Sequence, residues 1–195
     1  MRLAILLALL FPSLSAQTRS DLWKEVNPVR NSPQLQAAAV TAVQKRAIAQ
    51  LILHLSAGIL DETQGDRIAG TVNCLKFEKM PLAAQQNTLL VSGCTTEASG
   101  NGGFAELWLV RLDGDKPVNL VGPRDDLSGW LYSIQPSVAH GYHDLVFGEH
   151  MGAPETGLSY FRFNGQFYSS VGTATDDCGA IDDCEIHPNV RGAAK

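Results

Sequence analysis

Three of the five histidines fall within one stretch, His140-Gly141-Tyr142-His143-Asp144-Leu145-Val146-Phe147-Gly148-Glu149-His150. Imidazoles beside a carboxylate are the donors of a transition-metal site. The spacing argues against one. If Asp144–Gly148 is a strand, His143 and His150 lie about 23 Å apart at about 3.3 Å per residue, too far to share an ion. His140, His143 and Asp144 are closer but lack a fourth ligand, so histidines bonded to loop backbone are expected. A second polar group, Asp176, Asp177, Asp182, Asp183, Glu185 and His187, surrounds Cys178 and Cys184. Asp183, Glu185 and His187 alternate and share a face if extended. Oxygen donors suit calcium, and Asp182, Asp183, Glu185 and His187 are the residues a metal would use. The loop matches an EF-hand neither in length nor in glycine position, so a solvated acidic loop is expected.

Asp125, Asp126, Glu149 and Glu155 could supply the paired carboxylates of sugar hydrolysis, a chemistry set by separation in space. A ligand would be met by residues such as His140, His143, Glu149, His150 and Glu155. There is no Gly-x-Ser-x-Gly, Ser-x-x-Lys or His-Glu-x-x-His, and no phosphate loop or dinucleotide fingerprint. No catalytic residue, cofactor or metal is therefore expected. Trp23, Trp108 and Trp130 read as core or layer-edge residues.

The start of the chain says where this chemistry would take place. Met1-Arg2, the apolar run Leu3 to Phe11 and the small-residue exit Pro12-Ser13-Leu14-Ser15-Ala16 form a secretory signal peptide, cut after Ala16. The run falls short of the roughly 20 apolar residues a bilayer span needs. The mature chain is expected to be secreted or periplasmic, with no transmembrane anchor. Four cysteines in an exported chain imply two disulfides. Of three connectivities, 74–94 and 178–184 are favoured. Residues 80–87 between Cys74 and Cys94 have lost their alternation and read as a hairpin loop. Cross-strand Cα separations of about 5.5 Å suit a bridge. A redox pair would need Cys-x-x-Cys, which is absent.

These residues are held by a short turn near Asp21–Val26, one long helix and a run of strands. Ser32-Pro33 is a helix start. From Pro33 to Ala57, Leu35, Ala39, Val43, Ala47, Leu51 and Leu55 recur near every 3.6 residues, which predicts a helix ending at Gly58. Strands are predicted over 67–76, 88–93, 104–112, 117–121, 131–135, 144–148, 158–163 and 167–171, with Asn164-Gly165 as a two-residue hairpin turn. The expected fold class is α+β: one long N-terminal helix packed on a meandering antiparallel sheet of about eight strands, with two disulfides. The expected organisation is a signal peptide (1–16), a linker with a short helix (17–32), a single domain (33–187) and a loose tail (188–195).

Three motifs within residues 70–170 resemble a broad group of uncharacterised exported bacterial proteins: Leu107-Trp108-Leu109-Val110-Arg111, Asp144-Leu145-Val146-Phe147-Gly148-Glu149-His150, and Tyr160-Phe161-Arg162-Phe163-Asn164-Gly165-Gln166-Phe167-Tyr168. The Asp-Leu-Val-x-Gly element is also similar to FG-GAP or VCBS-type repeats, which often bind calcium through Asp-x-Asp-Gly-Asp. That stretch is missing, and 76–87, where it would stand, holds no aspartate. The similar proteins often close a small Cys-Gly-Ala-Thr-Gly-Asn-Cys loop, of which only Cys94 remains. The resemblance implies a fold and an extracytoplasmic compartment, with no established activity.

The net charge of −5 and the lack of any basic cluster beyond Lys45-Arg46 argue against nucleic acid and anionic membrane as partners. The expected function is a non-catalytic secreted or periplasmic binding or envelope-associated protein. It would meet an extracytoplasmic ligand or protein through Thr95–Gly103, Gly122–Gly129 and Met151–Gly157, because recognition tends to reside in loops on a rigid scaffold. The alternatives are an extracellular carbohydrate hydrolase using loop carboxylates and a proteinaceous inhibitor of an extracellular hydrolase.

Overall fold

A computed structural model describes residues 21–26, 33–55, 73–83, 87–93, 106–152, 155–178 and 184–189. The signal peptide, Cys94 and the Asp182-Asp183 pair lie outside these. Among the described residues the helix α1 (Ala42–Leu55) precedes ten strands, with short helical turns at 21–23 and 73–74. These are β1 (Lys76–Lys79), β2 (Thr88–Ser92), β3 (Glu106–Asp113), β4 (Lys116–Asn119), β5 (Leu127–Ser128), β6 (Trp130–Ala139), β7 (Tyr142–His150), β8 (Glu155–Phe163), β9 (Tyr168–Cys178) and β10 (Cys184–Pro188). Two five-stranded sheets result. The first runs β1-β2-β3-β4 with β5 also on β3, and the second runs β10-β9-β8-β7-β6. All these pairings are antiparallel.

The expected α+β fold is overturned. Strand makes up 55% and helix 15% of the described residues, and two stacked sheets replace the single meander. The long helix from Pro33 is a shorter one. Thr41 Oγ1 accepts the Gln44 N–H at 3.2 Å, and Gln44 Oε1 accepts the Thr41 N–H at 3.0 Å. This reciprocal cap begins the helix at Ala42. Residues 33–40 are instead extended along the edge of β1, where Ala38 N–H donates to Phe77 O and Lys79 N–H to Gln36 O.

The expected bridges 74–94 and 178–184 each have one end, Cys94 and the Cys178 side chain, outside the described residues. Cys74 and Cys184 are each disulfide-bonded and no described cysteine is free, but no bridge has both ends among the described side chains. Backbone register sets Cys184 opposite Cys178. Asn164-Gly165 is not a two-residue turn. Phe163 pairs with Tyr168, and the Asn164 carboxamide closes a four-residue loop by accepting the Gln166 and Phe167 N–H groups. The tight two-residue turn is His140-Gly141, both at positive φ, between the paired Ala139 and Tyr142. Pro188, expected to open the tail, ends β10.

Alternation along the strands explains the layering. In β3, Leu107 and Leu109 face the second sheet, while Val110 and Leu112 face α1. In β7, Leu145 and Phe147 face the first sheet and Val146 faces outward. The inter-sheet core thus joins Leu90, Leu107 and Leu109 to Leu131, Phe147, Phe161 and Tyr168. Outside the first sheet, Ile48, Ala49 and Ile52 of α1 cover Phe77, Leu89 and Val91. Outside the second, Trp23 and Val26 cover Tyr132, Val146, Leu158 and Tyr160. Trp23 is 5% exposed and meets Tyr160 edge-on at 5.6 Å. Where both faces are covered the strands carry near-continuous buried apolar runs, as Leu89–Val91 of β2 and Leu145–Phe147 of β7 do. The two layers are joined at a corner where Tyr168 N–H donates to Leu120 O and Gly122 N–H to Tyr168 O.

Candidate functional site

The most polar buried site holds Asp144. Its residue is 0% exposed, and its carboxylate accepts from Arg162 Nη2 at 2.7 Å, Arg162 Nε at 3.0 Å, Ser137 Oγ at 2.9 Å and Tyr160 OH at 3.1 Å. Hydrogen bonding to Asp144 raises the Arg162 pKa. Burial raises that of Tyr160, and burial also raises that of Tyr168, whose hydroxyl donates to His143 O at 2.7 Å. Ser137, Asp144 and the Tyr160/Arg162 pair sit on three neighbouring strands, β6, β7 and β8, so the carboxylate ties them in register. Asp144 and Arg162 also come from two of the strand motifs noted in the sequence. Their joint task is architectural: a fully buried carboxylate is paired with one arginine and held by two hydroxyls from the adjacent strands.

The histidines do not converge. His140 is exposed in its turn, next to Gly165. His143 Nδ1 is bonded to Gln135 O at 2.8 Å. His150 lies at the other end of β7, its ring 4.7 Å from that of Trp130. Glu155 is exposed at the start of β8. Glu185 and His187 form an exposed pair at 3.7 Å. Among the described residues no group of three or more His, Cys, Asp or Glu is placed to hold a metal ion.

The open site lies where β3 changes partner. Val110–Asp113 pairs with β4, and Glu106–Leu107 pairs with β5. Between these pairings the chain bows out over residues 120–126, and a cleft of about 360 Å³ lies beneath the bow. Leu107, Trp108, Val121 and Leu127 provide apolar wall, and Glu106, Asp125 and Asp126 line it. An adjoining pocket of about 180 Å³ is lined by Asp126, Ser128 and Glu149 together with Phe147 and Phe161. Ser128 Oγ donates to Glu149 at 3.1 Å, and Asp125 accepts the Ser170 N–H at 3.1 Å. Gly129 lets the bow close on β7. It has φ +81°, and a Cβ there would lie 2.0 Å from Gly148 O, so only glycine fits.

Three of the four carboxylates singled out in the sequence, Asp125, Asp126 and Glu149, thus share one region, and Glu155 lines neither cavity. Ser128 belongs to the expected Gly122–Gly129 loop, whereas Glu106 was not anticipated. The place of Glu106 depends on the partner switch of β3, which leaves no local pattern. The ends of the three glycine-rich loops also meet here: Gly93 N–H donates to Glu106 O, Glu106 pairs with Ser128, and Glu149 pairs with Gly157. Residues 94–105 themselves lie outside the described residues.

No family model, curated protein or solved structure matches the chain. Among the described residues no helix is long and apolar enough to cross a membrane.

Proposed function

We propose that this chain is an extracytoplasmic, non-catalytic binding domain whose ligand seats in the acidic cleft under the 120–126 bow. One observation supports the reading above others: Glu106 beside Trp108 and Leu127 in the cleft, and Glu149 in the adjoining pocket, come from separate segments, and the two cavities share Asp126 and Ser128 in their walls. Carboxylates only accept hydrogen bonds when ionised, so the fitting ligand presents donors or positive charge next to an apolar face. Amino sugars and amine-bearing peptides have that chemistry. The test is an NMR titration of labelled residues 17–195 with glucosamine oligomers, their N-acetylated counterparts and spermidine. The cationic probes should move resonances of 106–108, 121–128 and 148–149. A variant carrying Asp126→Asn and Glu149→Gln should bind at least about tenfold more weakly, as expected for losing charge-assisted bonds of about 1.5–3 kcal/mol each. Shifts confined to other surfaces would refute the assignment.

The shared pocket of Asp126 and Glu149 also favours a second reading, glycoside hydrolysis by a carboxylate pair. Release of nitrophenol from aryl glycosides, abolished by either single substitution, would replace the binding reading with that one.

A further inference from the structure

A second cavity, of about 480 Å³, lies apart from the acidic cleft, between the extended segment 33–36 and the start of the β1–β2 connection. Its volume falls in the range of small-molecule sites. Thr88 forms part of its wall and is 2% exposed. The Thr88 hydroxyl is the one buried side-chain polar atom among the described residues without a hydrogen-bond partner. Leaving such a group unpaired costs about 1–3 kcal/mol, and valine would fill the same space without that cost. A hydroxyl kept at such a site calls for an explanation, and a bound molecule that accepts from it is one.

The rest of the wall narrows the chemistry of that partner. Gln34, Gln36 and Asn87 offer amide donors and Lys79 an ammonium. Among the described residues no carboxylate lines the cavity, although the chain carries a net charge of −5. Leu35 and Met80 supply apolar surface. Lys79 N–H donates to Gln36 O and Met80 N–H to Thr88 O, both at 2.8 Å, so the walls are fixed by backbone bonds. Lys79 and the amides are exposed at the rim, while Met80 and Thr88 are buried. We propose that this cavity binds an amphipathic carboxylate carrying a second hydrogen-bond acceptor part-way along its apolar chain. The carboxylate pairs with Lys79 at the rim, the chain lies on Leu35 and Met80, and the internal acceptor receives the Thr88 hydroxyl proton.

Three probes of equal chain length test this by calorimetry and NMR: octanoate, 3-hydroxyoctanoate and octylamine. Both acids should bind and move the resonances of 34–36, 79–81 and 87–88, and octylamine should not. The hydroxy acid should bind about fivefold more tightly than octanoate, the worth of one net neutral hydrogen bond. Thr88→Val should bring that ratio to about one. Lys79→Gln, at an exposed position, should weaken both acids alike and tests the charge requirement even if the Thr88 variant folds poorly. Equal binding of octylamine, an unchanged ratio in Thr88→Val, or no movement of these resonances with any probe would each overturn the proposal.

Discussion

The two outer faces of the sandwich are covered in different ways. On the first sheet, α1 lays Ile48, Ala49 and Ile52 on Phe77, Leu89 and Val91, an apolar contact. On the second, Trp23 and Val26 cover only part of the face, and beside them lies the Ser137–Asp144–Tyr160–Arg162 network. Apolar burial is non-directional and tolerates small slips. A buried carboxylate with donors from two neighbouring strands does not. The difference is useful where it falls, because β6 and β7 slip register between Leu131 and Ser133 and again between Ile134 and Val138, and Ser137–Asp144 bridges the strands at the second slip. The helix side contributes bulk stability, and the Trp23 side sets which residues of β6, β7 and β8 face each other.

The sharpest break in this comparison comes from Arg162. Its side chain is 37% exposed while that of Asp144 is 0% exposed, so the two partners are not equivalent. Removing the arginine leaves a buried carboxylate uncompensated, which costs about 3–5 kcal/mol. Removing the charge from Asp144 leaves a cation that water still reaches. Urea unfolding should therefore show Arg162→Ala losing about 3–5 kcal/mol and Asp144→Asn distinctly less. Equal losses would mean that the network does not depend on desolvating Asp144.

On the helix side, Ile48→Ala should cost about 2–5 kcal/mol through lost burial and a cavity, without changing how steeply stability falls with pH in the alkaline range. That behaviour belongs to the other sheet. Tyr160 and Tyr168 have folded-state pKa values raised above the ordinary tyrosine value, chiefly by burial. Their contribution to stability is fully present below about pH 10 and is lost as pH rises toward the raised folded values. Tyrosinate absorbance and circular dichroism should thus change together above pH 10, and Tyr160→Phe should move that transition upward. Phenolate appearing in a still-folded protein would contradict the burial of both rings.

The same contrast explains what could be read from the sequence. Ile48, Ile52 and the alternation of β2, β3 and β7 are apolar periodicities, and these survive folding unchanged. The helix start is ambiguous because two signals compete: Ser32-Pro33 and the box Thr41-Ala42-Val43-Gln44. The second holds because 33–40 gains backbone bonds from the edge of β1, a partner no local window contains. Asp144 looks like an acid at a strand start or a metal ligand until Arg162 of β8 is placed beside it. In the acidic cleft, the glycine-rich bow and its two aspartates are visible as turn chemistry. Glu106 is ambiguous until β5 is seen on β3, because a carboxylate at the start of a strand has no periodic mark.

The smallest expected effect on stability concerns that cleft, and it separates architecture from recognition. Asp126 and Glu149 are exposed. The only hydrogen bond described for the Glu149 side chain is an exposed one, from Ser128. Asp126→Asn and Glu149→Gln should each leave the unfolding free energy within about 0.5 kcal/mol of the parent, as surface changes do. If both also abolish capture of cationic probes, these carboxylates bear on the ligand and hardly on the fold, in contrast to Asp144. If instead Glu149→Gln destabilises the chain by 1 kcal/mol or more, the Ser128–Glu149 contact is a brace that clamps β5 to β7, and the acidity of the cleft belongs to the scaffold.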